Sequence, residues 1–417
     1  MSAQIFEKIF LAALFASILV KFWLAIRHIR HIAEKRNAVP EEFSARITQE
    51  DHRRAADYTI SNTKLNLASD LVEAIFVLWF TLGGGLNVLD AFWSGHVESP
   101  VARGMMLIAS ALLLMELVEF PFAVYKTFII EQRFGFNKMT LKLFILDGFK
   151  KVLLAALLGL PLLALILWLM AKMGGNWWLD VWFAWIAFNL FIIAVYPTWI
   201  APVFNKFKPL EPSPMKQRIE KLLEKCGFES NGLFVMDGSR RSSHGNAYFT
   251  GFGRTKRIVF FDTLLSNLAE SEVEAVLAHE LGHFRHRHVA KRIAMSFMLS
   301  LLFLWVLGHV RGEAWFFEGL NAQSRSDAAA LMLFFMIAPS FTFLLKPLLS
   351  FYSRKNEFEA DDYAAKQSDG ESLIAALTKL YQESAKTLTP DPLYSVFYDS
   401  HPPASIRIAH LRKAMHN

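Results

Sequence analysis

Ala278-His279-Glu280-Leu281-Gly282-His283 is the stretch on which the reading of this chain turns. It has the form H-E-x-x-H and lies in a run with helical periodicity, since Val273, Val276, Leu277 and Leu281 recur at three- and four-residue spacing. Just upstream, Ser271-Glu272-Val273-Glu274 has the form of a capping box, with Ser271 as N-cap and Glu274 at the third helical position. On a helix, residues i and i+4 stack on one face, so His279 and His283 can hold one metal ion between them. Neutral imidazole suits Zn²⁺, which takes three protein ligands in a catalytic site and keeps one position for water. Glu280, rotated about 100° from His279, can reach that water without ligating the metal. A chance H-E-x-x-H in a chain of this composition is on the order of a one-in-fifty event, so the motif needs support from elsewhere.

The rest of the chain supplies a membrane context. Its 417 residues are 53% hydrophobic, with 38 Phe and 11 Trp, which favours a membrane protein over two or three soluble domains. A net charge of +6 gives no nucleic-acid signal, because the basic residues fall in loops between apolar runs. Cys226 is the single cysteine, which excludes an intrachain disulfide framework and a cysteine zinc site. Seven apolar runs are long enough, or nearly so, to cross a bilayer: Ile9–Ile26, Leu67–Trp93, Ala102–Tyr125, Val152–Met170, Trp177–Phe204, Ile293–Leu307 and Ala328–Leu349. The first has no basic leader and no cleavage site, and reads as a retained span.

Basic residues concentrate in every second connection. The positive-inside rule then puts the N-terminus outside, and the C-terminus and the loop carrying His279 and His283 in the cytosol. Asp70, Glu73, Asp90, Glu116, Glu119 and Asp147 sit within or beside spans. Asp70, Asp90 and Asp147 lie near span ends and read as reaching the interface. Glu116 and Glu119 lie deeper, which calls for a hydrated interior.

The loop between the fifth and sixth spans reads as a small soluble unit. Pro209–Pro214 is a Pro-rich linker, Met215–Cys226 an amphipathic helix, and Leu233–Met236 and Ile258–Phe261 short strands. Asn246-Ala247-Tyr248-Phe249 can form an edge strand, and an open edge beside a protease site can take a substrate backbone as an added strand. A third metal ligand is needed, and a candidate lies beyond the seventh span. Glu357 and Asp361 share one helical face there: Glu357 would bind zinc, and Asp361 would accept the outer N–H of a ligating histidine. Glu359, Asp362, His286 and His288 read as solvated or interfacial. Both metal-bearing helices are expected to run straight into spans, with the metal about 10–15 Å from the span ends. The division expected is 1–204 for spans one to five, 205–292 for the loop domain, 293–349 for spans six and seven, and 350–417 for a C-terminal segment. His401, before Pro402-Pro403, reads from composition as a turn residue.

Five stretches together carry a family resemblance. They are Glu131-Gln-Arg-Phe-Gly-Phe-Asn-Lys138, Ser242-Ser-His-Gly-Asn-Ala-Tyr-Phe-Thr-Gly-Phe252, the His279–His283 motif, Arg354-Lys-Asn-Glu357 with Ala360-Asp361, and Ser400-His-Pro-Pro403 with Arg407. The chain resembles the integral-membrane zinc CAAX prenyl proteases, the type that processes a-factor and prelamin A. The resemblance implies a mainly α fold: seven transmembrane helices form a barrel around a water-filled chamber, with a small α+β zinc metalloprotease domain at its cytosolic end. It implies one Zn²⁺ held by His279, His283 and Glu357, with Glu280 as catalytic base. It raises His401 to stabiliser of the tetrahedral oxyanion, with Arg407 in support, and makes Asn246 and its neighbour Ala247 substrate-backbone contacts.

The function expected is zinc-dependent hydrolysis of peptide bonds near the C-terminus of lipidated or membrane-associated proteins, within a lipid bilayer and without nucleic acid. Compact loops and no retrieval signal at the C-terminus favour a bacterial inner membrane, with the endoplasmic reticulum as the alternative; in a bacterium a prenylated CAAX protein would be an unusual natural substrate. The rival readings are a general membrane-protein quality-control protease, a seven-span receptor or transporter, and an inactive scaffold. A receptor or transporter does not explain a complete metal set on the cytosolic extensions of the last two spans, and an inactive scaffold is disfavoured because every expected catalytic residue type is present.

Overall fold

The computed structural model describes residues 1–250 and 257–416, so Gly251 and Phe252 of the second matching stretch lie outside the described residues. The membrane half begins with α1 (Ala3–Lys35), α2 (Gln49–Phe80), α3 (Gly85–Ser94), α4 (Pro100–Tyr125) and α5 (Leu141–Lys172). It continues with α6 (Trp177–Val195) and α7 (Ala201–Phe204). Side-chain oxygens of Ser2, Thr48, Ser99 and Thr140 cap the four long helices at their starts. Among the described residues, six helices are long and apolar enough to cross a membrane, or seven if the bent pair α2 and α3 forms one span. The second expected span is thus broken. Its two parts meet at 54°, and Gly84 at the break has φ +79°, which glycine adopts without steric cost.

The soluble half contains α8 (Pro214–Lys225), α9 (Asp262–Asn267) and α10 (Glu270–Arg285) around a four-stranded sheet. The last two spans and the tail follow as α11 (His288–Val310), α12 (Ala314–Glu318), α13 (Asp327–Thr342), α14 (Lys346–Gln367), α15 (Gly370–Glu383), α16 (Pro392–Tyr398) and α17 (Ala404–His416). Neighbouring spans touch in the order α1, α2, α4, α5, α6, α11, α13, and α13 returns to α1, which closes a ring. α13 also lies against α4 and α5, across one end of the ring.

The two largest hydrophobic cores among the described residues sit at opposite ends of this ring. One gathers the start of α1, the end of α2, the start of α4, the end of α5, the start of α6, the end of α11, Phe316 and Phe317 of α12, and α13 from Ala328 to Ile337. Chain direction places every one of these at the same end, so the ring is plugged there. The other core joins β-strand residues Leu233, Ile258 and Phe260 to Val273, Leu277 and Leu281 of α10 and to Ile219 and Leu222 of α8. Between the two cores the spans stand apart: only 6–28% of the apolar window is buried in five long spans, against 56% for α13 with α14.

A cavity of about 780 Å³ opens between α1, α2, α11, α13 and α14, with Ser17, Lys21, Asp70 and Glu73 among its lining. Asp70 does not reach the interface as expected, but pairs with Lys21 at 2.5 Å. Glu116 and Glu119 are exposed, and Glu119 accepts a bond from Ser69 Oγ at 2.9 Å. Carboxylates open to non-protein space on otherwise apolar helices point to a wet interior. Asp147, also expected at the interface, is buried and pairs with Arg241 of the soluble half at 2.8 Å.

The sheet has the order β1-β2-β4-β3. β1 (Phe207–Pro209) is antiparallel to β2 (Leu233–Met236), which is parallel to β4 (Arg257–Phe261). β3 (Ala247–Thr250) is antiparallel to β4 and forms an edge. β1 was not expected, since its Pro209 reads as linker; proline is tolerated because β1 is the other edge strand.

Two local expectations at α10 also fail. Its N-cap is Ala269 rather than Ser271. Alanine has no side-chain acceptor, so only the return half of a capping box exists, with Ala269 N–H donating to the Glu272 carboxylate at 2.7 Å. Nor does α10 run straight into the sixth span. It stops at Arg285, and Arg287, with φ 56°, turns the chain into α11.

Candidate metal centre

Backbone contact between α10 and α14 builds the site. A Cβ on Gly282 would lie 2.9 Å from Ala360 Cα and 3.0 Å from its carbonyl oxygen. The missing side chain lets the two helices touch. His279 and His283 flank Gly282, Glu357 and Asp361 flank Ala360, and the close approach sets the two pairs face to face.

His279 Nε2 and His283 Nε2 are 3.2 Å apart. Glu357 Oε1 lies 3.3 Å from His283 Nε2, and Oε2 lies 3.5 Å from His279 Nε2. A tetrahedral metal with bonds of about 2.0–2.1 Å separates its ligands by about 3.3 Å, so the three donors already have the required spacing. Glu357 Oε2 is buried and accepts no hydrogen bond among the described residues. Two imidazoles and one such carboxylate fit a metal ion.

Behind these donors lies a charged layer. His279 Nδ1 is 2.9 Å from Asp361 Oδ1. Arg407 grips the same carboxylate twice, through Nε at 2.8 Å and Nη2 at 2.5 Å, and its Nη1 is 3.5 Å from Glu357 Oε2. Burial opposes a charge on His279, but the Asp361 and Glu357 carboxylates overcome it and hold the imidazole up to about 9. Burial likewise opposes the Arg407 charge, and Asp361 outweighs it and raises the guanidinium. Arg407 therefore makes its direct hydrogen bonds to Asp361, while its Nη1 approaches the Glu357 carboxylate that His401 also faces.

His283 has a support that sequence reasoning missed. Its Nδ1 is 2.9 Å from His288 Nδ1, and His288 Nε2 is 3.0 Å from Glu359 Oε2. Expected to be solvated, His288 is buried, and Glu359 is its partner. Nothing local marks this contact, since Glu359 lies 71 residues along the chain.

His401 comes from the turn before α17. Its Nε2 is 3.3 Å from Glu357 Oε1, and its side chain is half exposed over the three donors. Burial pushes its imidazole down, so it is neutral at pH 7. Glu280 is half-buried on α10, next to His279. Just before β3, the Asn246 carbonyl accepts from Phe261 N–H at 2.9 Å, and Asn246 Oδ1 accepts from Ala247 N–H at 2.8 Å. Antiparallel alternation then turns the backbone groups of Ala247 and Phe249 to the open edge. The 131–138 stretch packs against the segment leading into β3: His244 stacks on Phe136 with ring centres 4.6 Å apart, and its Nε2 is 3.6 Å from Glu131 Oε2.

A closed ring of membrane helices ending in an H-E-x-x-H metal cluster defines a multi-pass membrane metallopeptidase. Residues 28–206 match the CAAX prenyl protease N-terminal model, described as five membrane helices, and residues 209–415 match peptidase family M48. CAAX prenyl protease 1 homolog of Oryza sativa is 34% identical, covering 92% of both chains. CAAX prenyl protease 1 of Saccharomyces cerevisiae is 32% identical, covering 93% of this chain and 91% of its own. The crystal structure of S. mikatae Ste24p superposes with a TM-score of 0.89 at 30% identity, covering 97% of this chain and 98% of that one. The chain belongs to peptidase family M48, among the membrane-embedded CAAX prenyl proteases.

Proposed function

We propose that this chain is a zinc endopeptidase that cuts near the C-terminus of membrane-associated proteins, with prenylated CAAX-type proteins as the substrate class. The spacing of His279, His283 and Glu357 at about the edge length of a zinc tetrahedron carries the reading. The names of the relatives suggest the substrate class. Zinc, when bound, polarises the scissile carbonyl and lowers the pKa of the attacking water.

The chain's own residues do the rest. Glu280 takes a proton from the attacking water and returns it to the leaving amine. Neutral His401 donates a hydrogen bond to the developing oxyanion. Asn246 and Ala247 hold the substrate backbone along the open edge of β3. Arg407 is a positioning residue: it keeps Asp361 ionised and aimed at His279, which fixes the imidazole with Nε2 facing the metal. The concentration of basic residues in alternate loops supports a centre on the cytosolic side with the N-terminus outside, and a bacterial inner membrane is the proposed location over the endoplasmic reticulum.

Cleavage of a farnesylated CAAX peptide and of the same peptide unmodified, by the purified full chain, tests the proposal. Preference for the farnesylated peptide supports it. Equal turnover makes the chain a general membrane-protein protease, and hydrolysis of neither removes the reading.

A further inference from the structure

A second group of ligand-type side chains lies on the far side of His283. His286, His288 and Glu359 each bring a ring nitrogen or carboxylate oxygen within 4.8 Å of the others. The first two flank the turn between α10 and α11. Residues two apart on a continuous helix diverge by about 200°. Arg287 breaks the helix in the left-handed region, φ 56°, a conformation costly for a residue with a Cβ. The turn leaves the His286 and His288 rings nearly parallel, 15° between planes and 5.5 Å between centres. Glu359 comes from α14, two residues beyond Glu357, so the same two helix systems that form the first metal cluster also form this one.

We propose that His286, His288 and Glu359 are a second site for a divalent transition metal, and that filling it turns the peptidase down. The donor set of two imidazoles and a carboxylate suits zinc. The inhibitory half rests on the reading of His283 as a ligand of the first metal. With His283 Nε2 turned to that metal, its Nδ1 carries the proton and donates to His288 Nδ1. His288 then carries its own proton on Nε2 and donates to Glu359. An ion that takes His288 Nε2 displaces this proton, and a neutral His288 must carry it on Nδ1 instead. Two N–H groups would then face each other across 2.9 Å, so the contact breaks and His283 loses its support.

Loss of such an outer partner lowers activity or metal affinity about 10–100-fold. The second site is the weaker one. Its donors must close from up to 4.8 Å to about 3.3 Å, and Lys355, with Nζ 3.9 Å from Glu359 Oε1, competes for the carboxylate.

Equilibrium dialysis of the full chain against Zn²⁺ alone, with peptidase activity followed in parallel, tests both halves. The comparison is between wild type and His286→Ala, which touches neither the first metal cluster nor His283. Two ions in wild type and one in His286→Ala are expected, with equal activity at one ion per chain. Beyond one ion, wild-type activity should fall at least tenfold while that of His286→Ala stays level. Glu359→Gln should also bind one ion. One ion in wild type overturns the second site and leaves the first intact, whereas none removes the metallopeptidase reading as well. Two ions in both chains place the second elsewhere and overturn the assignment, and equal inhibition of both chains overturns the coupling.

Discussion

Asp361→Asn should separate holding the metal from holding the fold. Asp361 is fully buried, with His279 Nδ1 at 2.9 Å and Arg407 at 2.8 and 2.5 Å. Asparagine keeps the volume but supplies one acceptor and no charge, so the buried guanidinium loses its nearest counter-charge and keeps only Glu357 at 3.5 Å. Breaking a buried ion pair from one side costs about 3–5 kcal/mol. The metal suffers separately: without a carboxylate behind His279, affinity should fall about 10–100-fold, which is about 1.4–2.8 kcal/mol. Arg407→Met added to Asp361→Asn removes the stranded cation. The double variant should regain most of the stability but none of the metal affinity. Thermal unfolding in detergent at saturating Zn²⁺ reads the first quantity, and competition with a chelator reads the second. Wild-type zinc retention by Asp361→Asn would refute the reasoning, as would a double variant that recovers both properties together.

Further predictions concern the same centre. Glu280→Gln should keep its metal and its melting temperature and lose about 10²–10⁴ in turnover; near-wild-type hydrolysis would remove Glu280 from the mechanism. Gly282→Ala drives a Cβ against the Ala360 backbone. It should cost about 1–3 kcal/mol and release metal, because the ligand pairs are pushed apart; an unchanged melt and unchanged metal content would contradict the role given to that contact. In the metal-free chain His279 is protonated up to about 9, so the metal must displace a proton. Apparent metal affinity should therefore rise about tenfold per pH unit up to that value and level off above it, and chelator competition across this range would show a flat profile if His279 were already neutral.

Regular spacing made much of this legible in the sequence. The i,i+4 rule put His279 with His283, and Glu357 with Asp361, on shared helical faces. Hydropathy located the spans because each must satisfy its backbone within one helix. Spacing says nothing about contacts between distant segments, and the misreadings lie there. His288 reads as an interfacial side chain until Glu359 is brought to it by helix packing. Asp147 reads as a span-end carboxylate until Arg241 reaches it from the soluble half. The break at Arg287 carries no glycine or proline to announce it. Gly83-Gly84-Gly85 did announce the bend in the second span, but the apolar run around it outweighed the signal. Arg407 was found only through the family resemblance, and its commitment to Asp361 became visible only with α17 folded against α14.

One consequence follows from the way α13 passes into α14. The segment that seals the end of the ring away from the metal cluster and the segment that carries Glu357 form one long strut, joined by a three-residue turn. From Ala329 in the seal to Glu357 the axial length is about 42 Å at 1.5 Å per residue. A tilt of about 1° over that length displaces the carboxylate by about 0.7 Å, more than the roughly 0.2 Å that metal–ligand bonds tolerate. Spans tilt to match bilayer thickness. Turnover should therefore peak in one lipid chain length and fall in thinner or thicker bilayers, making the bilayer itself a tuning element of the enzyme; constant turnover across a phosphatidylcholine chain-length series would show that the strut flexes at its turn instead.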